Sequence, residues 1–432
     1  MGSHYLLSCL HCGKLFDDPP DPFLLACGEA HGPALLRAVY EDRRLSVAAG
    51  EQGLFRYRRW LPIRRTWPDA GGPVVFQSSG LAAHLKMDAL FLAFSGFWPE
   101  RGAALDSCSF KELEALSVGA RLPEGEERTL VVSSAGNTGR AFLQTFSRYG
   151  LPALVVVPEN ALGQMWITGD RHSAVRLAVL RGGGDYLDAI ELGNRIAALP
   201  GFYPEGGARN VARRDGMGTV VLAAAEALGE SPRHYFQAVG SGTGAIAAWE
   251  MSLRLREDGR FGGWLPRLHL VQSEPFAILK DAWETGRREL PAVAEREAKQ
   301  RIARLHSPVL SNRNPPYAVV GGVYDALRDS EGQTYAVSCE EAGAAGRLFE
   351  SLEGCDLDAA AEVAVAGLIR AVARGLVRRR EIVLLNLTGG GARKLVRVSQ
   401  RTRVHPDVEI SGPGIGESEL AESLKLLQGA HA

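Results

Sequence analysis

Leu130-Val131-Val132-Ser133-Ser134-Ala135-Gly136-Asn137-Thr138-Gly139 is a short apolar run, a small-residue turn and the start of a helical pattern. Leu130 to Val132 has the branched composition of a buried strand, and the apolar spacing from Thr138 to Tyr149 predicts a helix. The pattern recurs. Val74 to Phe76, Ala153 to Val157, Tyr235 to Val239, Leu268 to Val271 and Ile382 to Leu387 read as buried parallel strands. Helical spacing fills Met217 to Leu228, Ala245 to Leu255, Ala342 to Leu352 and Ala359 to Gly375. Such alternation gives an α/β layered fold with crossover helices. Arg287 to Arg304 reads as an exposed helix, and Asn312 to Pro316 as a loop with two prolines.

At 432 residues and 46% hydrophobic, the chain can bury two large domains and a small appendage. Its net charge of -1, with the basic residues dispersed, gives no footprint for nucleic acid. No apolar stretch approaches the roughly 20 residues needed to cross a bilayer, and the N-terminus does not read as a secretory signal. The expectation is a cytoplasmic protein with small-molecule partners and no membrane partner.

Three later features carry chemistry. Cys108-Ser109-Phe110-Lys111-Glu112-Leu113-Glu114 puts a lysine in the first turn of a predicted helix, with Ser109 as its N-cap. The positive end of a helix disfavours the ammonium form, and a neutral amine is what condensation with an aldehyde requires. Ser134, Ala135, Gly136 and Thr138 form a turn suited to a carboxylate, and Asn137 offers an amide to a phenolic hydroxyl. Gly240-Ser241-Gly242-Thr243-Gly244 follows a strand and enters a helix. Its glycines let backbone approach a phosphate, and its spacing is neither a dinucleotide fingerprint nor a P-loop. Thr388, in Asn386-Leu387-Thr388-Gly389-Gly390-Gly391, can hydrogen-bond a pyridine nitrogen without protonating it. Together these fragments describe a pyridoxal phosphate enzyme. Any one of them alone also reads as a solvated lysine or an ordinary turn.

Cysteine use separates the first forty residues from the rest. Cys9-x-x-Cys12-Gly13 is a knuckle, and Cys27 with His31 is the group close enough to complete a tetrahedral zinc site. The alternative is a set of reduced thiols.

The order of lysine motif, Ser-x-Gly-Asn-Thr turn, glycine loop and late threonine resembles the tryptophan-synthase-β-like, fold type II pyridoxal phosphate enzymes, and in particular threonine synthases. Those usually show Thr-Gly-Ser-Phe-Lys-Asp, from which Asp106 to Glu114 departs. Phe94 to Ala103, the Ser-Phe-Lys-Glu-Leu-Glu-Ala run, Gly321-Gly322-Val323-Tyr324-Asp325-Ala326-Leu327 and the Thr388 segment are similar to the cysteate synthase family.

That resemblance implies β-replacement on O-phospho-L-serine by sulfite, giving L-cysteate and phosphate through a Lys111 aldimine and a bound aminoacrylate. It further implies a homodimer. Lys111 would act as general base, Asn137 would contact the ring hydroxyl, and Gly240, Ser241, Gly242, Thr243 and Gly244 would hold the cofactor phosphate. Thr388 would face the pyridine nitrogen, and Ser134, Ala135, Gly136 and Thr138 the substrate carboxylate. Arg140, Arg313 and Lys86 are candidates for a second anion site. The expected division is a Cys-rich segment at 1–40, a larger cofactor-binding α/β domain at 41–125 and 226–432, and a smaller α/β domain at 126–225. Two other readings stand beside this one: a threonine synthase-type enzyme acting on O-phosphohomoserine, or a related replacement with another nucleophile, and a non-catalytic zinc-ribbon binding protein.

Overall fold

The computed structural model describes residues 4–18 and 23–428. Residues 1–3 and 19–22 of the expected Cys-rich segment, and 429–432, lie outside the described residues. The strands of the two main sheets are, in chain order, Val74–Gln77 (β1), Leu90–Phe94 (β2), Thr129–Ser133 (β3), Ala153–Pro158 (β4), Val175–Leu180 (β5), Phe202–Pro204 (β6), His234–Ala238 (β7), Arg267–Ser273 (β8), Gln333–Val337 (β9), Val383–Leu387 (β10) and Val408–Ile410 (β11).

The larger sheet has six strands in the order β9-β8-β7-β10-β2-β1. All its pairs are parallel except β1 with β2. β1 is therefore an antiparallel edge strand with partly exposed residues, where the sequence predicts a buried parallel one. The smaller sheet is wholly parallel, β6-β3-β4-β5-β11.

The crossover helices include Lys111–Arg121 (α1), Asn137–Tyr149 (α2), Tyr186–Ala197 (α3), Val211–Leu228 (α4) and Thr243–Asp258 (α5). Local chemistry sets their starts. Asp185 and Asp188 form a reciprocal capping box at α3, and Asn210 accepts the Ala212 N–H at α4. Helix α2 buries Phe142 and Phe146 under the smaller sheet, each side chain contributing about 1.5–3 kcal/mol of transfer free energy. Of the charged stretch Arg287 to Arg304, only Glu295–Ile302 is helical, and its Ala298 is buried against Phe276 and Ile278.

Two segments depart from the expected division of the chain. The division leaves the C-terminal residues with the larger unit, but β11 joins the smaller sheet beside β5. Val408, Ile410, Ile415, Leu420 and Leu424 bury there with Val131, Leu154 and Val156. All but the last three residues of helix α4 fall in 126–225, yet most of its buried apolar residues pack in the cluster that holds α5 and Leu113 of α1. Both displacements are driven by long-range apolar burial. Short runs such as 408–410 carry too little periodicity to reveal it.

Near the N-terminus, Tyr5–Cys9, Leu15–Phe16 and Leu36–Tyr40 form a three-stranded antiparallel sheet. It is tied to the body by the Leu35 N–H donating to the Val320 carbonyl (2.9 Å) and the Val320 N–H donating to the Pro33 carbonyl (3.1 Å).

Candidate active site

A cavity opens where the C-terminal ends of both sheets meet, the usual position for a ligand in open α/β folds. Lys111, Ser134, Ala135, Gly136, Asn137, Thr138, the whole 240–244 loop and Thr388 line it. The residues singled out in the sequence for cofactor and substrate thus share one space, although 277 positions separate the first from the last.

Lys111 is the first residue of α1. The helix takes Phe110 as its cap without a side-chain bond, while the Ser109 hydroxyl accepts the Lys111 N–H at 3.3 Å. Ser109 therefore caps one residue earlier than the helix boundary suggests. The Phe110 N–H donates to the Thr388 carbonyl at 3.0 Å, which fixes the lysine turn to the end of β10. The Lys111 Nζ lies 3.2 Å from Glu114 Oε2, 3.7 Å from Met217 Sδ and 4.6 Å from the centre of the Phe110 ring. Burial lowers its pKa; Glu114 opposes the shift and Arg213 adds to it.

Glu114 is fully buried, and its other oxygen accepts the Thr138 hydroxyl at 2.9 Å and faces Arg213 Nη1 at 3.1 Å. Arg213 grips Glu205 through two bonds of 2.8 and 2.6 Å. Glu114, Arg213 and Glu205 are absent from the sequence-derived set, because an ion pair 99 positions apart leaves no local signature.

Glu112 turns away from Lys111. Its carboxylate accepts the Ser107 N–H at 2.7 Å, and burial, with Asp106 adding, pushes its carboxyl up to about 7. The departure from the threonine synthase motif at this position therefore shapes the loop before the lysine.

The turn before α2 differs from expectation in detail. The hydroxyls of Ser134 and Thr138, expected to face a carboxylate, are turned inward. Ser134 Oγ accepts the N–H groups of Gly136 (3.0 Å) and Gly139 (2.7 Å), and Thr138 donates to Glu114. What remains for an anion is backbone: α2 has Gly136 as its cap residue with no side-chain bond from it, and the N–H groups of Asn137 and Thr138, at the start of a 13-residue helix, are left at the cavity. Asn137 is oriented from behind, its Oδ1 accepting from Arg140 Nη2 at 2.8 Å and its Nδ2 reaching Asp358 at 3.3 Å.

The 240–244 loop fits a phosphate. Helix α5 also lacks a side-chain cap, and Gly242 holds it with φ +75°, a conformation glycine adopts without strain. A Cβ at Gly242 would collide with Val323, in the 321–327 motif, and one at Gly244 with Gln237. Below the cavity, Tyr235 donates to Gln237 Oε1 (2.7 Å) and Asn386 Nδ2 donates to Tyr235 (2.7 Å). Gln237 itself lines the cavity, another residue the sequence did not reveal.

None of the three basic residues named as second-anion candidates lines this space. Arg140 is spent on Asn137, on the Ser107 carbonyl (2.9 Å) and on Gln164 (3.1 Å). Arg313 pairs with Asp185 at 2.7 Å, and Lys86 is exposed in a left-handed helix C-cap. Arg213 does line the cavity, beside Lys111.

In the N-terminal sheet, the Cys9, Cys12 and Cys27 sulfurs and a His31 nitrogen all lie within 4.8 Å of one another. Cys9 Sγ to His31 Nε2 is 3.4 Å and Cys12 Sγ to Cys27 Sγ is 3.6 Å. Ligands of a tetrahedral zinc at bond lengths of about 2.0–2.3 Å stand about 3.3–3.8 Å apart, so the donors fit that ion. His31 Nδ1 donates to the Gly32 carbonyl at 2.7 Å, leaving the Nε2 lone pair toward Cys9. Burial resists ionisation of Cys9, yet the Cys12 and His11 N–H groups outweigh it and lower the thiol to about 7.

The family profile of pyridoxal-phosphate dependent enzymes matches residues 92–389. Maize serine racemase superposes with a TM-score of 0.53 at 13% identity, covering 75% of this chain and 90% of that one. Fold and profile define a fold type II pyridoxal phosphate-dependent enzyme. The cysteate synthase of Methanoculleus marisnigri is 49% identical over 95% of this chain and 94% of its own, and that of Methanosarcina acetivorans is 45% identical over 96% and 99%. The chain belongs to the cysteate synthase family.

Proposed function

We propose that this enzyme replaces the β-phosphate of O-phospho-L-serine with sulfite, releasing L-cysteate and inorganic phosphate. The observation that carries the reading is the meeting of Lys111, Asn137, the 240–244 loop and Thr388 in one cavity of a chain from the cysteate synthase family. Bound pyridoxal phosphate supplies an electron sink for the substrate α-carbon.

The chain's own residues do the rest. The 240–244 backbone and the α5 N-terminus hold the cofactor phosphate, Asn137 the ring hydroxyl, and Thr388 the pyridine nitrogen as a hydrogen-bonding group that leaves it uncharged. Lys111 anchors the cofactor, and its ε-amine takes the α-proton and later returns it. At the turn into α2 the backbone N–H groups of Ala135, Asn137 and Thr138 bind the substrate carboxylate, with the Ser134 hydroxyl shaping the turn.

With purified enzyme, O-phosphoserine and sulfite together yield cysteate and phosphate in equal amounts, and O-phosphohomoserine yields no threonine. Threonine from the latter without cysteate from the former would overturn the assignment.

We also propose that Cys9, Cys12, Cys27 and His31 bind one structural zinc. The support is the donor spacing and the His31 tautomer. Metal analysis is expected to find about one zinc per chain. Chelation is expected to raise the protease sensitivity of the segment that carries the four ligands. Zinc-free protein with an intact N-terminal segment would contradict this. The resemblance alone supports a cytoplasmic homodimer, which sedimentation can test. Among the described residues no helix is long and apolar enough to cross a membrane.

A further inference from the structure

Lys111 stands in a closed set of charges. Its neighbours are Glu114 on its own helix, Arg213 on α4 and Glu205 before that helix, and the Tyr186 hydroxyl of α3 lies in the field of those three. With the lysine protonated and Tyr186 neutral, two cations face two carboxylates and the cluster is neutral. When the lysine loses its charge, one net negative charge remains, held in a buried space where it attracts a proton. Glu114 is the link between the two halves, since one oxygen meets Nζ at 3.2 Å while the other meets Thr138 and Arg213 at 2.9 and 3.1 Å.

We propose that Glu114 is a positioning residue for Lys111: its carboxylate holds the free ε-amine at the cavity wall and stabilises the ammonium form that results when Lys111 takes a proton. The proton resides on Nζ and is shared in a hydrogen bond with Oε2; no bond between heavy atoms forms or breaks. The inference rests on Lys111 being the lysine that condenses with the cofactor aldehyde. It goes beyond that reading by assigning control of the amine's charge to Glu114. Thr138, bonded to the other oxygen, couples this control to the turn at the start of α2.

The test uses full-length protein stripped of cofactor. Pyridoxal phosphate is added across a pH series, the rate of coloured adduct formation is followed, and borohydride trapping with peptide mapping locates the adduct. In Glu114→Gln the amine stays neutral to lower pH, so the midpoint of the capture rate falls by about one pH unit or more. At a fixed pH below the wild-type midpoint, capture is then about tenfold faster. Glu114→Asp, which keeps the charge one methylene further away, shifts the midpoint in the same direction but less. A loss of packing alone would not move a midpoint in this graded way. An unchanged or raised midpoint in Glu114→Gln, with Lys111 still the labelled residue, overturns the role of Glu114 and leaves the lysine assignment standing. Wild-type protein with no label at Lys111 overturns the lysine assignment and the inference with it. If Glu114→Gln does not fold, Glu114→Asp decides, and a midpoint equal to wild type overturns the proposal.

Discussion

Lys111→Ala is expected to give a folded, colourless protein whose turnover falls at least about 10³-fold, the combined loss of covalent anchoring and of a positioned acid and base. The side chain lines the cavity, with its Nζ beside Met217 and Phe110, and belongs to no packed apolar cluster. Stability should therefore fall far less than activity. Added pyridoxal phosphate should still bind without covalent attachment, because the 240–244 loop and the α5 N-terminus are untouched. Absorbance spectra, thermal melts and phosphate release measured on one preparation check all three statements. A coloured variant that retains turnover would mean that another group does this work.

The second large effect is on stability. Arg213→Met removes the cation that serves both Glu114 and Glu205, whose side chains are 0% and 4% exposed. Two buried carboxylates then lose their partner, and breaking a buried pair from one side costs about 3–5 kcal/mol. Lys111 alone cannot compensate, since it reaches only Glu114. Urea unfolding followed by two probes should show the loss, and adding Glu205→Gln in the same chain should recover part of it by removing one uncompensated charge. A single variant as stable as wild type would contradict the network described here.

Which features were legible in the sequence follows from what each one depends on. That Lys111, Asn137, the 240–244 loop and Thr388 belong together was legible because each sits in local order, at or near a Gly-rich or Ser/Thr-rich turn, and the fold brings them to one cavity. Strands such as Ala153–Pro158 and Val383–Leu387 are readable for the same reason. Glu114, Arg213, Glu205 and Gln237 are not, because each takes its meaning from a partner brought close only by folding.

The same limit explains Ser134 and Thr138, whose hydroxyls looked free along the chain and are consumed by the turn and by Glu114. Arg140 looked like an anion ligand and is a brace behind Asn137. The Val408–Ile410 strand was missed because three residues carry too little pattern, although burial against the smaller sheet decides its place. In the N-terminal segment, the spacing of Cys9, Cys12, Cys27 and His31 is itself local information, and the fold brings those four ligand atoms within 4.8 Å of one another.

The most direct measurement is to reduce the holoenzyme with borohydride, digest it and locate the pyridoxyl group by mass spectrometry. A single modified peptide carrying the group on Lys111 is expected, with none when the cofactor is removed beforehand. A pyridoxyl group on any other lysine, or an unmodified Lys111 in protein that retains its cofactor, would contradict it.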